Sequence, residues 1–316
     1  MQKKLTLVIC TYNGEKYLDE VIESIIFQKG FEDHVEKLKI VDNASSDNTK
    51  NIICKYQSIN PRIEYIYEGN PGLSHARKHG ALVDTEWIAY LDDDNILLPE
   101  WINEALSFIS NNPKVGVFNG ASIATIRDEI TKKEVVMLNA IYQDLACTHV
   151  RMEDYDLNLL PAIKGPFGAG MVLRAKPLKK FLDNGWTSNI GRQGKALGSG
   201  EDGEIANYVL EEGFDYGYNN QMALLHIIPK VRLQPIYVEK LMKGLNEGYY
   251  NYISGKKNFI FYRFKTFIKS VYVLLSNPIR LVLTSDEIKK LKYKLEIDSR
   301  KRISKMIIND LFVIKR

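Results

Sequence analysis

The sequence predicts an α/β protein with a mainly parallel central sheet, followed by a helical extension. Short apolar runs alternate with segments of helical periodicity over residues 5–124. Polar and acidic residues follow several of these runs directly. Residues 251–316 hold 16 Lys or Arg against 5 Asp or Glu, a net charge of +11, which leaves −7 for residues 1–250. An acidic body with a basic tail suggests two tasks within one chain.

Strands and helices alternate through the first part of the chain. Apolar runs predict five strands, at residues 5–10, 38–42, 62–68, 87–94 and 115–124. Residues 13–28 predict the first helix, because Leu18, Ile22 and Ile25 share one helical face. Sheets of this kind bind ligands beyond the carboxyl ends of their strands. We therefore expect the polar residues after the strands to form a site.

The composition is that of an ordinary globular protein, with 45% hydrophobic and 26% charged residues among 316. We expect one large α/β domain over residues 1–245 and a basic helical extension over residues 246–316. Cys10, Cys54 and Cys147 have no paired or metal-type spacing, which favours core packing in a reducing compartment. The N-terminal apolar run is too short for a signal peptide, so we expect a cytoplasmic protein.

An acidic segment, YLDDDN, ends the fourth predicted strand at residues 90–95. Three adjacent carboxylates repel one another, and a hard divalent cation such as Mg2+ or Mn2+ would offset that repulsion. Alternate residues of an extended segment point the same way, so Asp92 and Asp94 can face one ion while Asp93 turns away. These residues alone leave a solvated acidic turn open as the alternative.

A basic segment, GNPGLSHARKHG at residues 69–80, precedes the acidic strand. The planar guanidinium of Arg77 can bind two phosphate oxygens at once, although a solvated surface arginine is the alternative. The same edge of the sheet should carry the polar residues after the first two strands, namely Thr11, Tyr12, Asn13 and Asp42. Basic groups, a metal-type acid pair and a strand-end cleft together favour a nucleoside diphosphate as ligand.

Residues 198–204, GSGEDGE, formally satisfy the G-x-G-x-x-G pattern of dinucleotide-binding loops. The preceding residues do not read as a strand, and Glu201 and Asp202 would set two acids against a pyrophosphate that needs amide donors. We therefore reject the dinucleotide interpretation. The same acids suit removal of a proton from a hydroxyl, and the structural alternative is a helix that begins here.

Five motifs, TYNGEKYL, IVDNASSDNT, GLSHARKHGA, YLDDDN and GSGEDGE, in this order, resemble the family 2 inverting glycosyltransferases of the GT-A fold. The resemblance covers about residues 4–230. It implies a GT-A type nucleotide-binding fold and transfer of a sugar, with inversion, from a nucleoside diphosphate donor to a hydroxyl. A UDP-sugar is the favoured donor, and the acceptor would be a carbohydrate or a lipid-linked glycan in bacterial-type polysaccharide or glycoconjugate assembly.

The resemblance implies nucleotide-binding roles for several residues. Thr11 and Tyr12 match the positions that frame the nucleobase, and Asn13 belongs to the same segment. Asp42 matches the acid that accepts a hydrogen bond from the base. Arg77 matches the family arginine near the nucleotide.

The resemblance also implies catalytic and metal-binding roles. Asp92 resembles the first acid of the family's DxD motif, near the ribose and the metal ion, and Asp94 resembles the acid that binds the ion directly. Asp202 matches the base that deprotonates the acceptor, with Glu201 positioning that acceptor. Judged from its apolar neighbours in the sequence alone, His226 would be a buried core histidine. Related enzymes of this fold sometimes use a histidine at this position as a metal or diphosphate ligand.

Two further positions concern the sugar. The glycine-rich segment GPFGAGMVLR, which contains Gly168, resembles the segment that lines the donor sugar, and its glycines allow close backbone approach. Trp186 could stack on a sugar ring, and a packed aromatic is the equal alternative.

The C-terminal region predicts an amphipathic helix over residues 259–283. Its apolar stripe consists of Phe264, Phe267, Ile268, Val271, Leu274 and Leu275. Charges interrupt every window of spanning length, so we predict that this helix does not cross a membrane. A basic amphipathic helix suits an anionic membrane surface or a partner helix. In the first case, residues 256–305 would bind the inner face of the cell membrane. The alternative is that these helices pack against the catalytic domain.

Two other functions remain as alternatives. A nucleotidyltransferase acting on sugar phosphates would use a similar sheet and similar acids, but the glycine-rich basic loop expected after the first strand is missing from the sequence. A non-enzymatic binder could use the basic tail on nucleic acid, with affinity that falls steeply with salt. The apolar stripe argues against nucleic acid, and we expect none as a partner.

Overall fold

The computed structural model describes residues 5–150, 167–186, 200–255 and 258–313. The chain divides into two compact units. The first, called the sheet unit, comprises residues 1–127, 146–194 and 201–228. The second, called the helical unit, comprises residues 128–145, 195–200 and 229–316.

A mixed sheet forms the centre of the sheet unit. Its strands, within the described residues, are β1 (Leu5–Thr11), β2 (Val35–Asp42), β3 (Ile63–Tyr67), β4 (Trp87–Asp92), β5 (Asn95–Leu97), β6 (Val115–Thr125), β7 (His149–Val150), β8 (Met171–Arg174) and β9 (Asp215–Ile227). The strand order is β3-β2-β1-β4-β8-β6-β9-β5, with β7 beside β6. Strands β1 to β4 pair in parallel, whereas β8 is antiparallel to β4 and β6. This arrangement confirms the predicted α/β class and all five predicted strands.

The helices of the described residues connect these strands or follow them. They are α1 (Leu18–Ile26), α2 (Phe31–His34), α3 (Thr49–Ile59), α4 (Leu73–Gly80), α5 (Trp101–Asn111), α6 (Lys132–Ile141), α7 (Ala175–Asp183), α8 (Glu201–Glu211), α9 (Pro235–Ser254), α10 (Phe259–Leu283) and α11 (Glu287–Val313). Helices α6, α9, α10 and α11 belong to the helical unit.

Both faces of the parallel strands β1 and β4 are buried, which explains why these two strands read as continuous apolar runs. Alternate residues of β1 enter two different layers of the core: Leu7 and Ile9 pack with the residues of α1 and α5, and Val8 packs with those of α4 and α8. The two largest fully buried side chains, Trp87 and Trp101, lie in the first layer.

Strand register aligns the ends of β1, β2 and β4. Thr11 at the end of β1 pairs with Asp42 at the end of β2, and Cys10 pairs with Asp92 at the end of β4. Parallel strands present their carboxyl ends to one edge, so these polar residues meet there.

Helix α10, in the helical unit, buries polar residues and exposes much of its predicted apolar stripe. The polar residues Thr266, Ser270 and Asn277 are buried, and Phe264, Ile268 and Leu275 of the predicted stripe are exposed. Helix α9 runs without a break through residues 245 and 246. The division of the chain into a domain over residues 1–245 and an extension over residues 246–316 stays a prediction.

The prediction that charges interrupt every window of spanning length is wrong. Residues 266–283 contain only two charged side chains, Lys269 and Arg280. Among the described residues, α10 is the one helix long and apolar enough to cross a membrane by length and composition. Length and composition do not decide between a spanning helix, an interfacial helix and a core helix.

Candidate active site

Two acids and a histidine gather after β4. Ligand atoms of Asp92, Asp94 and His226 lie within 4.8 Å of one another. Asp93 instead accepts a hydrogen bond from the Thr11 hydroxyl at 2.6 Å, on the side of β1. Residues 93–94 form a turn rather than an extended segment, yet Asp92 and Asp94 still face one point. The role of these residues as metal ligands stays a prediction.

The antiparallel pairing of β5 with β9 brings His226 close to these acids, because His226 lies opposite Asn95 in that pairing. Its Nε2 atom is 3.2 Å from Asp94 Oδ1, and its Nδ1 atom is 3.6 Å from Cys147 Sγ. Burial would lower the pKa of His226, but the charge of Asp94 and then the neighbouring Cys147 outweigh burial and hold this pKa well above its usual value.

The chemistry of this donor set fits a divalent cation. Carboxylate oxygens suit Mg2+ and Mn2+, and an imidazole nitrogen is a ligand that a transition-metal ion such as Mn2+ accepts. Asp94 and His226 are buried and Asp92 is half-buried, so water does not fully surround these three side chains. His226 would bind a cation through its neutral imidazole, since metal ligands bind in their deprotonated form.

Two more acids, Glu201 and Asp202, open α8. Asp202 forms an ion pair through Oδ1 with Arg77 Nη1, and its Oδ2 accepts a hydrogen bond from the Gly168 amide at 2.9 Å. The side chain of Asp202 is 31% exposed, whereas that of Glu201 is 4% exposed. Of these two acids, Asp202 is the one that an external hydroxyl can reach.

Arg77 lies on α4 and is buried. Its guanidinium also approaches Glu201 Oε1 at 3.4 Å and lies over the Tyr90 ring, 5.4 Å from the centroid. Burial opposes the charged form, but the charges of Asp202 and Glu201 outweigh it and raise the pKa of Arg77. The alternative of a solvated surface arginine is therefore wrong. Its role near the nucleotide stays a prediction, and the contacts in the structure are with carboxylates.

Gly168 leaves room for the pair formed by Arg77 and Asp202. A Cβ atom at this position would lie 2.8 Å from both carboxylate oxygens of Asp202 and would also crowd Arg77. Close approach was expected at this glycine, and the structure shows that the approaching groups are protein side chains. Its contact with a sugar stays a prediction.

Electrostatic effects on Cys10 connect the acid cluster of Asp92 and Asp94 with the ion pair of Arg77 and Asp202. Burial raises the pKa of the Cys10 thiol to about 12, and the charges of Arg77 and then Asp92 act on this pKa in opposite directions. The charge of Asp92 also acts on Arg77. Both groups therefore belong to one charged region of the sheet unit.

Asp42 lies at the end of β2 with 2% of its surface exposed. Its Oδ1 accepts a hydrogen bond from the Ser45 amide at 2.9 Å, and its Oδ2 accepts one from the Tyr65 hydroxyl at 3.1 Å. Burial, and then the hydrogen bond to Asp42, raise the pKa of Tyr65 to about 12. Each carboxylate oxygen has two lone pairs, so Asp42 can accept a further hydrogen bond.

The segment after β1 exposes one aromatic ring beside a tight turn. Tyr12 is 54% exposed. Asn13 has a left-handed backbone conformation, with φ of 55°, and its side-chain oxygen accepts a hydrogen bond from the Ser46 amide at 2.8 Å. A Cβ atom on Gly14 would lie 2.7 Å from Asp93 Oδ2. The turn therefore holds Tyr12 at the strand-end edge.

The family model described as Glycosyl transferase family 2 matches residues 6–181, which is more than half of the chain. The chain belongs to glycosyltransferase family 2. The glucosyl-dolichyl phosphate glucuronosyltransferase of Haloferax volcanii is 22% identical over 236 residues, covering 73% of this chain and 71% of that protein.

Two solved glycosyltransferase structures have a similar fold. Staphylococcus aureus TarS 1–349, in complex with UDP-GlcNAc, matches with a TM-score of 0.52 and 16% identity over 80% of this chain and 67% of that chain. The mannosyltransferase PcManGT of Pyrobaculum calidifontis, in complex with GDP-Man and Mn2+, matches with a TM-score of 0.51 and 12% identity over 99% of this chain and 75% of that chain. These matches confirm the GT-A fold.

The remaining candidate of this family 2 glycosyltransferase is Trp186. Its indole Nε1 donates a hydrogen bond to Glu204 Oε2 at 2.9 Å, and its ring packs 5.2 Å from that of Phe181. These contacts are those of the packed-aromatic alternative, and stacking on a sugar stays a prediction. Gly198, part of the rejected dinucleotide pattern, lies outside the described residues.

Sequence reasoning missed three partners of the site residues. Tyr65 supports Asp42, Cys147 approaches His226, and Asn95 donates a hydrogen bond to Asp94 Oδ1 at 3.2 Å. Asn95 was within the acidic motif and could have been identified. Tyr65 and Cys147 lie in unrelated segments, and the sequence offers no local signal for them.

Proposed function

We propose that this protein transfers a sugar from a nucleoside diphosphate donor, with a UDP-sugar favoured, to a hydroxyl acceptor with inversion at the anomeric carbon. One observation carries the proposal: a group of metal-type ligands, Asp92, Asp94 and His226, shares one charged region with a solvent-accessible acid, Asp202. Such a transfer needs a stabilised diphosphate leaving group and a base for the acceptor.

The donor nucleotide would bind at the ends of β1 and β2. Asp42 offers a buried carboxylate to an N–H group of the nucleobase, held in place by Ser45 and Tyr65. The exposed ring of Tyr12 can cover the base, and Thr11 and Asn13 fix the turn that carries it. A buried carboxylate that accepts an N–H hydrogen bond distinguishes bases by the position of their donors.

Asp92, Asp94 and His226 would hold Mg2+ or Mn2+. When bound, the cation supplies positive charge to the diphosphate as it leaves. The buried position of Asp94 and His226 limits their rotation, so these side chains are already oriented for a ligand.

Asp202 would take the proton from the acceptor hydroxyl as its oxygen attacks the anomeric carbon. Arg77 and the Gly168 amide each contact one oxygen of Asp202 and hold this carboxylate in place. A lone pair remains for the proton. A single displacement with one base and one leaving group on opposite faces of the sugar inverts the anomeric centre. Glu201 would position the acceptor, through Arg77.

We assign the reaction to bacterial-type polysaccharide or glycoconjugate assembly. The support lies in the relatives, one named as a glucosyl-dolichyl phosphate glucuronosyltransferase and another, TarS, named as a poly(ribitol-phosphate) β-N-acetylglucosaminyltransferase. The acceptor class would be a carbohydrate or a lipid-linked glycan. Membership of a glycosyltransferase family disfavours both the nucleotidyltransferase and the non-enzymatic alternatives.

Thermal unfolding with nucleoside diphosphates tests the donor site. UDP with Mn2+ should raise the melting temperature, and a ligand at about 100 times its dissociation constant adds about 2.7 kcal/mol. Asp94→Asn should lose the part of this rise that depends on Mn2+, because it removes one ligand charge. Asp84→Asn, at an exposed acid outside the site, should respond as the wild type does.

Two outcomes would contradict this assignment. If neither UDP nor GDP raises the melting temperature with any divalent cation, the donor site is wrong. If Asp94→Asn keeps the full Mn2+-dependent rise, the metal ligands lie elsewhere. Inversion itself is checked by the anomeric configuration of the product in an NMR spectrum.

A further inference from the structure

Helix α10 presents a continuous apolar surface to solvent. Three of its side chains, Phe264, Ile268 and Leu275, are 63%, 53% and 69% exposed. The whole surface, here called the α10 apolar face, consists of Ile260, Phe261, Phe264, Ile268, Val271, Tyr272, Leu275, Ile279 and Val282. A helix of 25 residues is about 37 Å long at 1.5 Å per residue. Soluble monomers rarely expose an apolar surface of this extent unless it binds something.

Polar residues occupy the opposite side of α10, where a soluble helix would carry its apolar residues. Thr266 Oγ1 is 3.0 Å from the Tyr249 hydroxyl of α9, and Asn277 Nδ2 donates to Glu296 Oε2 of α11 at 2.6 Å. Arg263 adds an ion pair with Asp310 of α11 at 2.6 Å. Rotating α10 to bury its apolar face would break these bonds. The outward orientation is therefore fixed by the chain itself.

The charges of α10 are all of one sign. The helix contains Arg263, Lys265, Lys269 and Arg280 and no Asp or Glu. Lys265 and Lys269 are four residues apart, so they lie on one side of the helix along an edge of the apolar face. Both lysines are exposed, and no ion pair is recorded for either one among the described residues.

We propose that the α10 apolar face lies in the plane of an anionic lipid surface. Its apolar side chains would enter the boundary of the acyl chains, and Lys265 and Lys269 would contact the headgroups. A second copy of this chain fits less well, because joining two such faces would bring basic edges together. A spanning helix would place the buried polar side of α10, with Asn277 and Arg263, at membrane depth. This proposal does not depend on the proposed reaction.

Sedimentation of the full chain with lipid vesicles tests the proposal. The protein should sediment with vesicles that contain phosphatidylglycerol and phosphatidylcholine in equal amounts, and not with phosphatidylcholine alone. Binding should fall as the salt concentration rises, since surface charges are screened. Alkaline carbonate should release the bound protein, because an interfacial helix is extracted and a spanning helix is not.

Two variants separate the apolar contribution from the electrostatic one. Combining Phe264→Glu, Ile268→Glu and Leu275→Glu should abolish binding, while Ile59→Glu, at a similarly exposed apolar residue of α3, should leave it unchanged. Lys265→Gln with Lys269→Gln should weaken binding roughly 30-fold, since each basic residue near the surface contributes about 1 kcal/mol. Lys176→Gln with Lys179→Gln, at two exposed lysines of α7, is the matched control for charge.

Each of four results would overturn the proposal. These are equal binding to neutral vesicles, wild-type binding by the triple variant, resistance to alkaline carbonate, and a dimer that the triple variant disrupts in a protein that binds no vesicles. The substituted side chains point outwards, so the variants should keep the far-UV circular dichroism of the wild type. If the triple variant fails to fold, the Lys265→Gln and Lys269→Gln pair decides the question.

Discussion

Buried ionisable side chains occur in both units of the chain, and they differ in what their charge does locally. In the sheet unit, Arg77, Asp94 and Glu201 are buried at the ends of strands, where ligands bind. In the helical unit, Glu134 is buried and its carboxylate caps the first turn of its own helix, α6. Asn277, buried between packed helices of the same unit, is neutral. A buried polar residue therefore indicates a site only when it carries charge that local packing does not require.

The sheet unit also concentrates more negative charge than its neighbouring cations neutralise. Its strand-end region contains Asp92, Asp93, Asp94, Glu201 and Asp202. Arg77 pairs with the last two, and His226 approaches Asp94. Like charges held together lower stability, and such a cost persists where function needs it. Removing a site charge should therefore affect activity far more than stability, and removing a buried neutral group of the helical unit should do the reverse.

The largest expected effect is that of Asp202→Asn. Losing a general base lowers the rate of transfer by about 10²- to 10⁴-fold. Stability should fall by about 1 to 3 kcal/mol, less than the loss in activity, because the buried Arg77 loses the larger of its two charge partners and keeps Glu201. Sugar transfer is measured by release of the nucleoside diphosphate, and stability by urea denaturation. Nucleotide affinity should be nearly unchanged, since the base acts on the acceptor.

The matched control for this prediction is Glu211→Gln. This exposed acid lies at the other end of the same helix, α8, away from Arg77 and Gly168. It should transfer sugar at the wild-type rate. Transfer at that rate by Asp202→Asn would instead remove Asp202 from the reaction and make Glu201 the next candidate.

Asn277→Ala should show the opposite behaviour. It removes the hydrogen bond to Glu296 and should lower the stability of α10 against local unfolding by about 1 to 2 kcal/mol. Leu275→Ala removes a larger apolar side chain two residues away, but that side chain is exposed, so its effect should stay within about 0.5 kcal/mol. Amide hydrogen exchange of α10 and α11 measures both effects.

The transfer rate should be unchanged in both of these variants. A larger loss of stability in Leu275→Ala than in Asn277→Ala would mean that the apolar face is buried in solution. That result would remove the contrast between the two units and the basis of the lipid proposal together.

The sequence predicted most of the parallel half of the sheet. Strands β1 and β4 are buried on both faces, so each gives an apolar run that ends where a polar residue begins. Strands β2 and β3 alternate buried apolar residues with half-buried or exposed ones. The short strands β5, β7 and β8 have two to four residues, too few to show a period. Only the observed pairing identifies them as strands.

The sequence names candidate site residues but not the contacts between them. Asp92 and Asp94 are candidates because they lie at a strand end, and their role stays a prediction. The pairing of Arg77 with Asp202 joins residues 125 positions apart, and it depends on how α4 and α8 are placed on the sheet. For α10, periodicity identified the apolar stripe, but not whether that stripe faces protein or solvent. Periodicity locates a face of a helix and carries no information about the medium next to it.

The smallest expected effect concerns His149 on β7, a half-buried polar group of the sheet unit that lies outside the proposed site. Its Nδ1 is 2.6 Å from the Thr148 hydroxyl, and burial lowers the pKa of His149 below its usual value of 6.5. The unfolded chain then binds a proton more readily than the folded chain does. Stability from this residue is present above pH 6.5 and is lost as the pH falls below that value.

The glutamine in His149→Gln does not titrate. Above pH 7, the stability of this variant should therefore depend on pH as that of the wild type does. Towards about pH 5, the stability of the variant should decline less. Urea denaturation across this range measures the difference. Identical profiles would mean that His149 is hydrated in solution, and that the sheet unit confines its buried ionisable groups to the strand-end site.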